Sequence, residues 1–379
     1  MISAGIDASV RRPLYSLSMK FIHCLRSVLV LLIFPPAVAT LDAAERPRLC
    51  VLTDIGGDPD DQQALVRLMV YANEFEIEGL IATAAGVPGQ LKEARTRPDL
   101  IRETVAAYGQ VRGNLARHAG GWPTAEELVG RIKSGNPQRG REHIGEGHDT
   151  EGSRWLIERI DAGTAERPLN VAIWGGQTDL AQALWRVKHD RGAEGFGSFV
   201  ARFRAFDIDD QDHLADWIHG EFPGLYYILA QARPGHDKRE GIYRGMYLGG
   251  DEALTSRAWI EANIRTKGPL GALYPTKTWT APNPNGCMKE GDTPSWFFFL
   301  PSGGNDPADP SKPGWGGQYT KAPDGWYRDL PAEMMAEGKQ GASVGAKGAA
   351  GADPRQAVYR WRPDFQKDFA RRMEWCVAE

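Results

Sequence analysis

Along most of this chain, short apolar runs alternate with stretches whose apolar residues recur at helical spacing. The run PRLCVLTD at 47–54 is apolar on consecutive positions and ends in polar residues, the pattern of a buried strand. From Asp60 onward, Ala64, Leu65, Leu68, Met69 and Ala72 follow helical spacing. That places Asp60 and Asp61 at a helix N-terminus, where anions are favoured. IEGLIATAAG at 77–86 predicts a second strand closed by glycine, so the opening segment reads as a parallel βαβ unit. DLIRETVAAYGQVRGNLARHA and GSRWLIERID read as helices, the second capped at Ser153. LNVAIWGG at 169–176 predicts a third strand, TDLAQALWRVK the helix after it, and GLYYILAQ a fourth strand. SWFFFLP at 295–301 suits a helix or a strand.

Beyond Pro301 the chain turns rich in glycine and proline, and 302–355 is expected to be a mobile segment. Within it, AEGKQGASVGAKGAAGAD at 336–353 is of low complexity. YRWRPDFQKDFARRMEWCV then predicts a closing helix with an aromatic stripe. No internal repeat is visible. The expected fold over 46–379 is one α/β domain with an open, mostly parallel sheet and flanking helices.

The first 44 residues differ from the rest. MKFIHCLRSVLVLLIFPPAVA starts at Met19 with basic Lys20 and Arg26, continues apolar over 27–34 and reaches Ala37-Val38-Ala39. Basic, apolar, small is the order of a secretory signal. The apolar run is shorter than the roughly 20 residues of a membrane helix. Residues 1–44 are therefore expected to be a leader starting at Met19, cleaved after 39 or nearer Ala43-Ala44. The mature protein is expected to be periplasmic or secreted, with no stable membrane span; a membrane anchor or buried helix is the alternative.

A net charge of −4 and a pI near 6.1 give no electrostatic footprint for nucleic acid. The chain holds 12 tryptophans, and Trp is a stacking platform for sugars as well as a core residue. Outside the leader, Cys50, Cys287 and Cys376 form an odd set without CxxC spacing. That argues against a disulfide scaffold or zinc knuckle and leaves one bridge open. A Walker loop, a G-x-S-x-G elbow and a G-x-G-x-x-G fingerprint are absent. A haloacid-type phosphatase would want an aspartate where Gly56 stands.

The chemistry concentrates in LTDIGGDPDDQQALVRL, where Asp54, Asp58, Asp60 and Asp61 fall within eight residues at a strand–helix junction. Ligands of open α/β sheets sit at the carboxyl ends of strands. GGQTDLAQAL lies at another such end, and KEGDTPSWFFFL adds Asp292. Asp54, Asp61, Asp292 and a backbone carbonyl near Thr178 are hard oxygens of the kind calcium takes. Without a cation these carboxylates would repel and raise one another's pKa. Helix capping is the plainer account of Asp60 and Asp61, and a turn role that of Asp58. The Trp174-Gly175-Gly176 turn allows close backbone approach to a ligand. Lys289 and Glu290 flank Asp292 and could orient it. Asp207, Asp209, Asp210, Asp212 and His213 either line a pocket mouth or form a solvated loop. His213 and His236 are candidates for a leaving-group acid, or ordinary structural histidines.

TDIGGDPDDQQALVRL resembles the aspartate-rich signature of calcium-dependent nucleoside hydrolases, and GGQTDLAQAL resembles their Gly-Pro-Leu-Thr-Asn turn. From 47 to 379 the chain is closer still to one branch, the Sde182-like nucleoside hydrolase-like family. The carriers are the first signature with WGGQTDLAQAL, GMYLGGDEAL, GPLGALYP, KEGDTPS and YRWRPDFQKDFARRMEWC. The resemblance implies a nucleoside hydrolase-like fold, a bound calcium and hydrolysis of glycosyl bonds. Asp54 would take a proton from the attacking water and touch the metal. Asp61 and Asp292 would be metal ligands, Thr178 would give its carbonyl, and Asp60 would grip a sugar hydroxyl. Apart from the resemblance, Trp174, Gly176 and Glu290 are expected beside the substrate. The family's frequent C-terminal β-sandwich is not expected in this chain.

Four departures bear on the ligand. Leu52 stands where nucleoside hydrolases carry another aspartate, and two residues are inserted before Asp60-Asp61. Val87 replaces a ribose-binding asparagine, and Gly291 stands where many have a histidine. The metal cradle is kept while ribose and base recognition are not. The ligand is thus a sugar or nucleoside, with a polysaccharide also open, and oligomeric state is left open. Three readings remain: a calcium-dependent glycosyl hydrolase, a non-catalytic carbohydrate-binding protein that keeps the metal, and a structural envelope protein.

Overall fold

The strand β1, Arg48–Thr53, is buried along its whole length, and its side chains alternate between two helical layers. Leu49 and Val51 pack into one core with α1 (Asp60–Met69) and α2 (Pro98–His118). Cys50 and Leu52 pack into the other with α4 (Glu151–Asp161) and α5 (Gln177–Val200). A strand covered on both faces has no polar side, which is why its sequence is a continuous apolar run. Leu52 is thereby a core residue, fully buried.

The computed structural model describes residues 46–86, 90–277, 287–331 and 353–378. The leader, Val87 and most of the low-complexity stretch at 336–353 lie outside the described residues. Arg46–Glu379 is one compact unit. Its sheet has eight strands in the order β3-β2-β1-β4-β5-β6-β8-β7. These are β1, β2 (Glu76–Ala82), β3 (Ile132–Ser134), β4 (Leu169–Ile173), β5 (Phe203–Ile208), β6 (Tyr227–Ala230), β7 (Tyr319–Lys321) and β8 (Tyr327–Asp329). All neighbouring pairs run parallel except β7 with β8. The expected open, mostly parallel sheet with flanking helices is the observed one. The shorter helices are α3 (Ala125–Gly130), α6 (Ala215–Glu221), α7 (Arg257–Ile260), α8 (Gly268–Ala272), α9 (Thr293–Phe297) and α10 (Gln356–Tyr359), and α11 (Arg362–Glu374) is the closing helix.

Several local expectations shift. The helix α4 is capped by Thr150, whose Oγ1 accepts from Ser153 N–H at 2.8 Å, while Ser153 Oγ accepts from Thr150 N–H at 2.9 Å. Ser153 is thus the inner half of a capping box. The ambiguous SWFFFLP stretch starts in the short helix α9. Part of the glycine- and proline-rich segment forms β7 and β8. Cys50, Cys287 and Cys376 are all buried and free, so no bridge joins them. No helix among the described residues is long and apolar enough to cross a membrane.

β1 and β4 are neighbours at the sheet centre, and the chain leaves them in opposite directions, to β2 and to β5. Such a switch point opens a crevice at the carboxyl ends of the strands.

Candidate functional site

A cavity of about 710 Å³ opens at that crevice. Asp54 follows β1 directly, and Asp58, Asp60 and Asp61 come from the turn and first turn of α1. Close packing fixes the junction: a Cβ on Gly175, just past β4, would lie 2.7 Å from Asp54 Cγ. Asp61 accepts a hydrogen bond from the Thr53 hydroxyl, which in turn accepts from Ile55 N–H at 3.2 Å.

Asp292 arrives from far along the chain, and α1 holds the loop that carries it. Gln63 Nε2 donates to the Cys287 carbonyl at 2.7 Å, and its Oε1 accepts from Lys289 N–H at 2.7 Å. Arg67 pairs with Glu290, which also accepts from Tyr274 OH at 2.6 Å and Thr293 Oγ1 at 2.9 Å. Trp174 Nε1 donates to Ser295 Oγ at 2.9 Å, and Ser295 Oγ donates to the Asp292 carbonyl at 2.6 Å. Seven side chains thereby set the position of one carboxylate.

The result is a cluster in which one oxygen each of Asp60, Asp61 and Asp292 lies within 4.8 Å of the others. Asp292 Oδ2 is buried and has no hydrogen-bond partner among the described residues. Burial first, and the neighbouring carboxylates next, push Asp60, Asp61 and Asp292 well above the usual carboxylate range. A buried acceptor without a donor, beside two more carboxylates, is what a hard cation satisfies. The donor set therefore fits calcium or magnesium. Calcium needs six to eight oxygens, so carbonyls, water or ligand must complete it.

Asp54 lies beside this cluster rather than in it. It shares a hydrogen bond with Asp61, and Arg139 Nη2 stands 3.5 Å from its Oδ2. Burial raises its pKa to about 6 against the lowering effect of Arg139. Arg139 also donates to the carbonyls of Ala84 and Gly86 and faces Asp212 at 3.6 Å. The sequence reading missed this arginine, which sits in a loop after the unpredicted strand β3. Lys289 pairs with Asp58 and stands 3.7 Å from Asp60, and burial lowers its pKa to about 8. Asp58 is thus a wall of the cavity and not merely a turn residue.

Other expected residues fall elsewhere. Thr178 lies inside the first turn of α5, where carbonyls point along the helix and away from its N-terminus. Its hydroxyl and N–H both donate to Asp212, at 2.7 and 2.9 Å, and it does not line the cavity. Trp174, just past β4, does line the cavity, and its carbonyl accepts from Gln211. Gly176 has φ 93°, and a Cβ there would lie 2.3 Å from Thr83 Cγ2, so the close approach is to Thr83. Glu290 is fully buried in the Arg67 pair and does not reach the cavity. Gly291 does line it, beside Tyr243. The acidic run after β5 is divided: Asp209 and His213 line the cavity, Asp212 and Asp210 cap α5 and α6, and Asp207 is buried with Gln177 and Tyr227. His236 pairs with the exposed Glu240 and stays outside.

A further wall comes from the segment after β6, which packs beside Gly291. Tyr243, Arg244 and Tyr247 line it, and Arg244 Nη1 donates to Tyr247 OH at 2.6 Å. The sequence carried no periodic signal for this wall, because it is built from short single turns.

No curated protein matches the chain. It is similar to a solved structure from Saccharophagus degradans, described as a nucleoside hydrolase-related hypothetical protein associated with carbohydrate metabolism. The TM-score is 0.66 at 28% identity, over 88% of this chain and 72% of that one. The model of a family described as cellulose-binding Sde182, nucleoside hydrolase-like domain, matches residues 48–319. With the strand-end carboxylates on the fold that this match covers, the chain belongs to the Sde182 nucleoside hydrolase-like family.

Proposed function

We propose that this protein is an exported, calcium-dependent hydrolase of glycosyl bonds acting on a carbohydrate or nucleoside. The observation that carries the reading is the partnerless buried oxygen of Asp292 beside Asp60 and Asp61, in a cavity at the sheet's switch point. The likeness to a protein associated with carbohydrate metabolism supports a sugar as ligand. Asp60, Asp61 and Asp292 would hold the ion, with the Trp174 carbonyl in place of Thr178. When bound, calcium would orient water and a sugar diol and act as a Lewis acid.

The chain's own residues supply the remainder. Asp54, raised to about 6, is ionised at neutral pH and basic enough to accept a proton from water. Arg139 holds that carboxylate toward the cavity from the side of β2 and β3. Asp60 takes a sugar hydroxyl, and the carboxylates around the ring favour the positive charge of an oxocarbenium-like state.

Calorimetry with calcium and turnover assays on nucleosides and plant-polysaccharide oligomers test the proposal. Calcium-dependent hydrolysis lost in Asp54→Ala supports it. Calcium and sugar binding without turnover would favour the second reading, a carbohydrate-binding protein, in keeping with a family described as cellulose-binding. Export is tested separately by N-terminal sequencing of secreted material, expected to begin after residue 39.

A further inference from the structure

The cavity is electrically two-sided. Its strand-end side carries Asp54, Asp58, Asp60, Asp61 and Asp292 against Lys289. Its other wall carries Lys238, Arg239, Arg244 and Arg355 against Asp209, Asp237 and Glu240. A neutral sugar needs hydroxyl-binding groups alone, and the carboxylate side already provides them. The cationic wall calls for a separate account.

Most of those cations are engaged. Arg239 forks onto Asp237, and Arg355 onto Asp353. Arg244 differs. Its Nε donates to the Lys238 carbonyl at 3.0 Å and its Nη1 to the Tyr247 phenol at 2.6 Å, both neutral acceptors. Among the described residues its one carboxylate contact is Asp209 Oδ2, at 3.5 Å. Charge-assisted bonds of a guanidinium run at about 2.7–2.9 Å, so this contact is a long one. The Arg244 side chain is only 16% exposed, and it is Tyr243, Tyr247 and Asp209 that favour its charged form against burial. Its charge also acts on Asp60 and Asp292, lowering both against the stronger effect of burial. Lys238, exposed on the same wall, makes no ion pair among the described residues.

We propose that the sugar bound here carries an anionic group, a uronate carboxylate or a phosphate ester, held by the Arg244 guanidinium with Lys238 behind it. The inference rests on the reading of this cavity as a sugar site and adds the class of sugar. The planar fork of an arginine suits a two-oxygen anion better than a hydroxyl. The hydroxyl-bearing edge of the ring faces the strand-end carboxylates, and the acid pairs with the Arg244 guanidinium. The cavity is within the range of about 300–1,000 Å³ of small-molecule sites, so it can hold both ends at once.

The test is calorimetry of the intact protein with calcium and four probes: methyl glucuronoside, its methyl ester, methyl glucoside and glucose 6-phosphate. The free acid and its ester differ chiefly in charge. The acid or the phosphate is expected to bind about tenfold or more tighter than the two neutral probes. The tighter of the two anions identifies the source. Arg244→Gln is expected to erase that preference while leaving binding of the neutral glucoside and of calcium in place, and Arg244→Lys to restore part of it. Wild-type binding in which neither the acid nor the phosphate exceeds the ester and the glucoside overturns the inference, and needs no variant to fold. So does a preference that survives in both folded Arg244 variants. Calcium-dependent binding of neutral glycosides without preference for either anion sinks this inference alone. Binding of none of the four sinks it together with the sugar-site reading.

Discussion

Arg67 and Glu290 form an ion pair in which both side chains are fully buried, and neither reaches the cavity. The pair ties α1, which brings Asp60 and Asp61, to the loop that brings Asp292. Arg67 is also held by Gln366 at 2.8 Å and lies over the Phe369 ring at 3.7 Å, so α11 buttresses the same joint. Removing one partner strands the other charge in the core. Glu290→Ala is expected to cost roughly 3–5 kcal/mol in urea unfolding. It should also weaken calcium binding, because the Asp292 loop loses its anchor. The double change Arg67→Met with Glu290→Met should recover much of the stability. A loss below about 1 kcal/mol for Glu290→Ala, the level of an exposed pair, would show the joint to be dispensable.

The carboxylate cluster gives a pH signature. In the calcium-free fold Asp54, Asp60, Asp61 and Asp292 all have raised pKa values. A carboxyl raised by folding contributes stability that is fully present below its unfolded value. That contribution is lost as pH rises through the folded value. Calcium-free melting temperature should therefore fall as pH rises from about 4, the ordinary Asp value, past the Asp54 value of about 6. Saturating calcium should flatten the fall, adding about 2.7 kcal/mol at one hundred times its Kd. In Asp292→Asn both the fall and the calcium gain should shrink. Identical melting curves for wild type and Asp292→Asn, with and without calcium, would remove the cluster from any role in holding a cation.

Asp54→Asn separates chemistry from cradle. Its carboxylate lies outside the tight cluster of Asp60, Asp61 and Asp292, so calcium binding should survive in weakened form. Arg139 keeps its carbonyl partners at Ala84 and Gly86, so the fold should hold. Turnover, by contrast, should drop about a hundredfold to ten-thousandfold, the usual contribution of a general base. Rates matched to wild type on every substrate that turns over would end the hydrolase reading.

The buried centre of the sheet was legible because β1 and β4 are apolar on consecutive residues, which only two-sided burial explains. The strands β3 and β5 were not. The first is three residues long, and FRAFDI runs into an acidic loop, so neither stands out as an apolar run. Asp54, Asp60 and Asp61 could be read because aspartates crowded at a strand–helix junction need a cation or a cap, and Asp292 because KEGDTPS carries the family resemblance. Their supports could not: Arg139 and Arg244 sit in loops whose placement depends on contacts distant in sequence. Glu290 misled because its neighbour Asp292 faces the cavity while it faces the core. Two residues apart in an irregular loop, they share no face that spacing could reveal.

Gly175 and Gly113 make a matched pair of Gly→Ala tests. At Gly175 the new Cβ would meet Asp54 at 2.7 Å from Cγ and 2.8 Å from Cβ. A clash with Cβ cannot be relieved by rotating the carboxylate, so β1 and β4 must part at the point where the cavity begins. Overpacking of this kind costs typically about 1–3 kcal/mol. Displacing Asp54 should also lower turnover and weaken calcium binding. Gly113, on the exposed side of α2, has nothing within 4 Å of a built Cβ. Alanine there relieves the entropy cost of a helical glycine, a gain of roughly 0.5–1 kcal/mol. Melting curves of the two variants should thus move in opposite directions, with only Gly175→Ala affecting calcium affinity. Should Gly175→Ala melt and bind calcium as the wild type does, the tight β1–β4 junction does not position Asp54.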